Sequence, residues 1–223
     1  MKPRWMIVLT VGLIGIGLAH WQVGLVPSVA ASDQAAVTAA GCLLPALGGE
    51  HEFIGSKKCK KCHMKEFKSW RDTKKAKTFD LLKPGQASEA KQKANLDPAK
   101  DYTKDEKCLK CHTIGFGEPG GYFVPDAADE KAVKKAGKLE GVGCESCHGP
   151  GSAYIDSHEE IKKSKRMYTQ DEMFAAGLKK IEEASCTKCH NEESPTYVPF
   201  DFAKQKNNAE GAHEIFPLEQ RQE

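Results

Sequence analysis

The 223-residue chain carries 33 Lys and Arg against 31 Asp and Glu, a formal charge of +2, and its only arginines are Arg4, Arg71, Arg166 and Arg221. That balance argues against a nucleic-acid binder, which needs a basic excess to neutralise phosphate. From Ser32 onward Leu, Ile, Val and Phe make up about 16% of the residues, below the roughly 20% at which a chain ordinarily buries enough surface to fold, so either most of it is disordered or something other than side chains supplies the core.

Residues 1–31 read as a secretory signal. Lys2 and Arg4 give a basic start, Met6 through Ala19 are almost all apolar, and Ser28-Val29-Ala30 or Val29-Ala30-Ala31 offers the small residues at which a signal peptidase cuts. The run is short for a membrane span and is interrupted by His20 and Gln22; an uncleaved N-terminal anchor is the alternative. Cleavage leaves a periplasmic protein with equal numbers of acidic and basic residues. Residues 32–52, rich in Ala and Gly and without periodicity, form a flexible tether. Cys42 in that tether lies too far beyond the apolar run for lipidation and reads as a spare thiol. Residues 53–223 form a single domain.

The other eight cysteines fall into four copies of one string: Cys59-Lys60-Lys61-Cys62-His63, Cys108-Leu109-Lys110-Cys111-His112, Cys144-Glu145-Ser146-Cys147-His148 and Cys186-Thr187-Lys188-Cys189-His190. Cys-x-x-Cys-His is the attachment signature of c-type haem. Two thiols reach the two vinyl groups of one porphyrin edge, and the adjoining histidine turns onto the iron as proximal ligand. Structural zinc uses four ligands per metal, usually from paired knuckles, and gives no reason for a histidine after every second cysteine. Disulfides do not explain four identical strings. Four covalently bound c-type haems also resolve the shortage of apolar residues, because burying a macrocycle stabilises the fold at about 25 cal/mol per Å², as a side chain does. The apo-chain should be largely unfolded.

Between the attachment sites the chain reads as helices and turns. Gly115, Gly117, Gly120 and Gly121 make a loop where backbone passes close to something flat. Pro125-Asp126 opens a helix that Gly137 stops. Thr169-Gln170-Asp171-Glu172 resembles a capping box before a helix with Met173, Phe174, Leu178 and Ile181 on one face. No segment alternates convincingly, so the expected fold is mainly α, a multihaem cytochrome c with a haem-filled core and little regular sheet.

Removal of His20 with the leader leaves His51, His158 and His213 as distal ligands for four irons. On histidine count at least one iron is not bis-His, and an open iron binds small molecules where a bis-His iron passes electrons. His158 follows the third site in Asp156-Ser157-His158-Glu159-Glu160. His213 stands in a polar tail that Ile215, Phe216 and Leu218 dock. His51 sits in the tether before Phe53-Ile54-Gly55.

Residues 89–103 (EAKQKANLDPAKDYT), 115–122 (GFGEPGGY) and 141–151 (GVGCESCHGPG), with the order of the four sites, resemble the tetrahaem cytochrome c-554 family, electron carriers of ammonia-oxidising bacteria. The resemblance spans residues 55–200, and the tail beyond is weaker and shorter. It implies a mainly helical protein with haems in stacked pairs, three bis-His irons and a five-coordinate second haem on His112. It further implies electron transfer in the periplasm from hydroxylamine oxidoreductase toward membrane or soluble cytochromes, and a link to nitric oxide at the open haem. By position His158 resembles the distal ligand of the first haem and His213 that of the fourth, while Val198-Pro199-Phe200 resembles the cover of the second. One departure stands out. Members carry a histidine a few residues after a tryptophan, ligating another iron, taken as the third. Here Trp70-Arg71-Asp72-Thr73-Lys74-Lys75-Ala76 puts Lys75 in that place. Three outcomes are open: Lys75 ligates as a neutral amine, His51 substitutes, or the third haem is open as well.

The residues therefore point to an electron relay. The lysines at 57–61 and 74–77 either meet an acidic partner or serve solubility. The alternative is a reductase of nitric oxide, hydroxylamine or nitrite at an open haem, against which the apolar cover of Val198, Pro199 and Phe200 counts, since such chemistry wants a proton donor.

Overall fold

The computed structural model describes residues 51–206 and 212–222; the leader, Cys42 and nearly all of the tether lie outside them. Among the described residues the elements run α1 (Ser56–Cys59), α2 (Met64–Asp72), a 3-10 helix (Lys75–Leu82), α3 (Ser88–Lys93), α4 (Glu106–His112), α5 (Glu130–Ala136), α6 (Cys144–His148), a second 3-10 turn (Gly151–Ala153), α7 (Ile155–Ser164), β1 (Tyr168–Thr169), α8 (Gln170–Ala175), α9 (Glu183–Thr187), α10 (Phe202–Gln205) and β2 (Arg221–Gln222). The fold is mostly helical. Its one sheet is the parallel pair β1–β2, with Tyr168 opposite Arg221 and Thr169 opposite Gln222. No helix among the described residues is long and apolar enough to cross a membrane.

Each attachment string folds around a single helical turn. The second and third lie within α4 and α6, while the first and fourth begin in α1 and α9 and continue as turns, with His63 N–H donating to Cys59 C=O at 2.9 Å and His190 N–H to Cys186 C=O at 3.0 Å. Residues three apart on a helical turn share a face, so each pair of thiols points the same way. Asp105 and Asp129 cap α4 and α5 through their carboxylates.

Two helices depart from the expected bounds. The helix expected from Pro125-Asp126 starts later, at Glu130, because the Asp126 carboxylate accepts from Ala128 N–H at 3.0 Å and holds a turn ahead of the Asp129 cap; Gly137 ends it as expected. Thr169 caps α8 by accepting from Glu172 N–H. The Glu172 carboxylate, however, binds the Arg166 guanidinium, and the helix stops at Ala175 before Gly177 at φ +109°. Met173 is buried and Leu178 packs beside it from beyond the helix, whereas Ile181 is exposed.

The side-chain core is small and lies in two parts. Phe53, Phe79, Leu82, Tyr102, Leu109, Ile114, Tyr122, Ala136 and Leu139 cluster around α4, and Tyr154, Ile161 and Met173 gather under α7 and α8. The flat object beside the glycine loop is the ring of Phe53: Gly115 sits at φ +61°, and a Cβ there would lie 2.4 Å from that ring.

One buried carboxylate joins the parts. Glu145, 1% exposed, accepts from Ile54 N–H at 2.9 Å, Gly55 N–H at 2.7 Å and Gly151 N–H at 2.7 Å. It pins the segment leading into α1 against α6. Burial pushes its carboxyl up from the ordinary range, and the three amides pull it back in part. Replacement of Glu145 by Ala strands these amides at about 1–3 kcal/mol each. Chemical denaturation of the holoprotein is expected to show E145A losing about 3 kcal/mol or more, with E145Q, which keeps one carbonyl acceptor, falling between E145A and the parent.

Candidate functional site

The four attachment sites follow one another in space in a different order from the chain. The side chains of Cys59 and Cys144 lie side by side, which sets the first site against the third. Those of Cys111 and Cys189 lie side by side likewise and set the second against the fourth. Cys147 and Cys186 lie near enough for the charge of one thiolate to act on the other, which joins the third site to the fourth. The sites therefore run first, third, fourth, second. All eight cysteines are unpaired.

The proximal histidines are held differently, and His190 is exposed with Phe200 stacked on its ring. His112 Nδ1 lies 2.7 Å from Thr78 C=O, which it reaches as a donor, leaving the Nε2 lone pair for a metal. His63 packs at 5.6 Å between ring centroids from His158, whose Nδ1 lies 3.2 Å from Tyr154 C=O. His148 faces His213 at 6.4 Å, and His213 Nδ1 lies 2.7 Å from Glu214 C=O. Metal–imidazole bonds of about 2 Å on either side of one ion require centroids about 6 Å apart. The pairs stand at 5.6 and 6.4 Å, near that spacing, and in each the partner outside the strings, His158 or His213, has its Nδ1 on a backbone carbonyl. Among the described residues no three His, Cys, Asp or Glu side chains converge as a zinc site requires. Thiols paired along one edge of a helical turn, a histidine beside each pair, and imidazoles facing imidazoles across a one-atom gap fit c-type haem.

His158 lies beside His63 of the first string. His213 lies beside His148 of the third string and not beside His190 of the fourth. The reason is the tail: Glu214 N–H donates to Ser69 Oγ at 2.8 Å, Phe216 lies 5.8 Å from Lys65 Nζ, and β2 pairs with β1, which docks this segment on α2 beside the third site. Phe200 stacks on His190 at 4.5 Å, so its ring contact is with the fourth site; Val198 and Pro199 are exposed, and the expected cover over His112 gains no ring from them. His51 is exposed and has no ring contact with any proximal histidine. The charge of Lys75, expected near the third haem, acts on Cys147 of the third string and on Cys186 and His190 of the fourth.

Sequence reasoning missed Glu145 as the clamp between sites, although a charged residue set in a glycine-flanked string was a visible signal. The supporting carbonyls of Thr78, Tyr154 and Glu214 had none, because every residue carries a carbonyl.

The family model described as cytochrome c554 and c-prime matches residues 58–149. The chain is 37% identical over 195 residues to cytochrome c-554 of Nitrosomonas europaea, covering 78% of this chain and 80% of the relative. Its fold is similar to the solved reduced state of cytochrome c554 from Nitrosomonas europaea, with a TM-score of 0.66 and 36% identity over 78% of this chain and 91% of that one.

Two outcomes follow from the ligand geometry. H158A is expected to open the iron on His63 and H213A the iron on His148, each converting one low-spin haem to high spin by electron paramagnetic resonance without altering the signal of the haem on His190. The second concerns acid. Burial, followed by the nearby positive charges of His213, His63 and His158, pushes His148 down to about 4, and burial lowers His63 and His112 also. A base whose folded value lies below its unfolded 6.5 contributes stability above pH 6.5 that is lost as the pH falls toward the folded value. An acid titration followed by the Soret band is therefore expected to lose low-spin haem between pH 6.5 and about 4.

Proposed function

The chain belongs to the cytochrome c554 family, and from that premise we propose that it relays electrons between redox proteins in the periplasm, from a hydroxylamine oxidoreductase-like donor toward membrane cytochromes. It is a tetrahaem c-type cytochrome and an electron carrier; the direction, the partners and the compartment are the proposal. When bound, haem supplies a one-electron ferric–ferrous couple.

The chain's own residues do the rest. Cysteine pairs fix each attachment edge, proximal histidines present Nε2, and the carbonyls of Thr78, Tyr154 and Glu214 fix the orientation of His112, His158 and His213. His63 with His158, and His148 with His213, would hold an iron from both sides and leave it no position for a small molecule, the arrangement of a carrier. The observation that carries the reading is the closeness of the attachment strings, the first lying beside the third, the third beside the fourth and the fourth beside the second.

The first site supports docking at one end of that succession. Cys62 is exposed there, and Lys57, Lys58, Lys60, Lys61 and Lys65 surround it, all exposed. The excess of positive charge fits an acidic partner face, and its effect on encounter falls with salt.

The test is rapid mixing of the oxidised holoprotein, shown by mass to carry four haems, with hydroxylamine oxidoreductase and hydroxylamine. Reduction within the mixing experiment is expected, slowed several-fold by raising the ionic strength. K57E/K61E is expected to reproduce that slowing at low salt. Absence of reduction at any salt sinks the proposed donor.

A further inference from the structure

The two histidines that stand beside proximal ones are held by the chain in different ways. His158 sits within α7, a ten-residue helix anchored by buried Tyr154 and Ile161 in the second side-chain cluster. Its ring packs 5.4 Å from that of Tyr154, and its backbone N–H donates to Tyr154 C=O at 3.1 Å. Withdrawing His158 from His63 therefore means unseating a helix from a core.

His213 stands in the tail of residues 212–222, none of which is buried. Ile215 is 77% exposed. Glu214 N–H donates to Ser69 Oγ at 2.8 Å, and the ring of Phe216 lies 5.8 Å from Lys65 Nζ. Tyr168 N–H donates to Gln220 C=O at 3.0 Å beside the two-residue pairing of β2 with β1. The bond at His213 Nδ1 goes to Glu214 of the same tail, so it orients the ring without fastening it to the body of the protein. Arg221 N–H likewise turns back on Leu218 C=O. A segment without buried apolar contacts, held by exposed hydrogen bonds, lies at the low end of local stability and opens well before the fold does. Each such bond is worth a factor of about two to ten in the opening equilibrium.

We propose that the tail is a strap, and that lifting it turns the third site into a latent binding position for small neutral ligands of ferrous haem, with carbon monoxide as the probe. As the strap lifts, the bond from His213 Nε2 to iron breaks and one from the carbon of the entering ligand forms; no proton or electron is transferred. The closed form dominates at rest, so the apparent affinity of the position is reduced by the fraction open. The first site, with His158 on a seated helix, stays closed. The proposal rests on the reading that His148 and His213 hold one iron and not on the redox partners, so its failure leaves the carrier function standing.

The experiment is stopped-flow mixing of carbon monoxide with the dithionite-reduced holoprotein, its four haems verified by mass. H213A identifies the third site, because the phase it converts from slow to fast is the one to follow. In the parent that phase is expected to take up one equivalent at a rate that levels off with carbon monoxide concentration, since opening of the strap limits it. S69A is expected to raise the limiting rate about two- to tenfold. A chain ending at Glu214, which lacks Phe216 and β2, is expected to raise it further. S69A removes one hydroxyl and keeps the test available if the shortened chain fails to mature. Absence of a third-site carbon monoxide phase from the parent and both variants overturns the proposal, and so does a limiting rate that neither variant changes.

Discussion

The carboxylate of Glu145 is the junction on which the arrangement of sites depends. It is buried and bound by three backbone amides, two from the segment before α1 and one from the turn after α6. Through it the first attachment string is brought against the third, and Cys59 comes within hydrogen-bond reach of Cys144. A charge in such a place is costly unless fully satisfied. Three donors satisfy it, and in doing so they join parts of the chain far apart in sequence. A hydrophobic contact of equal size has no direction and would not set the two sites edge to edge.

The same economy explains the small core. The aliphatic and aromatic clusters flank α4 and α7–α8 but do not extend under every attachment site. With so few Leu, Ile, Val and Phe, the chain spends its apolar side chains on orienting helices and leaves the interior between sites to macrocycle. Glycine appears where backbone presses on backbone or ring, as at Gly115 on Phe53 and Gly141 on Ala76. This packing suits the carrier function: His158 and His213 are fixed in orientation by backbone carbonyls, and attachment strings that lie side by side leave no long step between neighbouring sites.

Much of the chemistry was open to direct reading. Four repeated strings identified the cofactor and its number, the excess of polar residues showed that the cofactor must be structural, and the Thr169 cap and the Gly137 stop marked two helix ends. The expected helix start at Pro125 failed because Asp126 bonds its own turn before Asp129 can cap. The expectation that His213 belongs with the fourth string differs from its place beside His148 for another reason. It was made by position along the chain, whereas the place of His213 is decided by Ser69 and by the pairing of β2 with β1.

The sequence by itself determined the cofactor and its number, and it offers two thiols and a histidine in each of four strings, because covalent attachment demands a fixed local spacing that any single helical turn can satisfy. Only the tertiary structure decided which string lies against which and which histidines stand side by side. Those relations are made through space by a buried carboxylate, a docked tail and a glycine pressed on a turn, and contacts between distant residues leave no periodic mark in the chain that carries them.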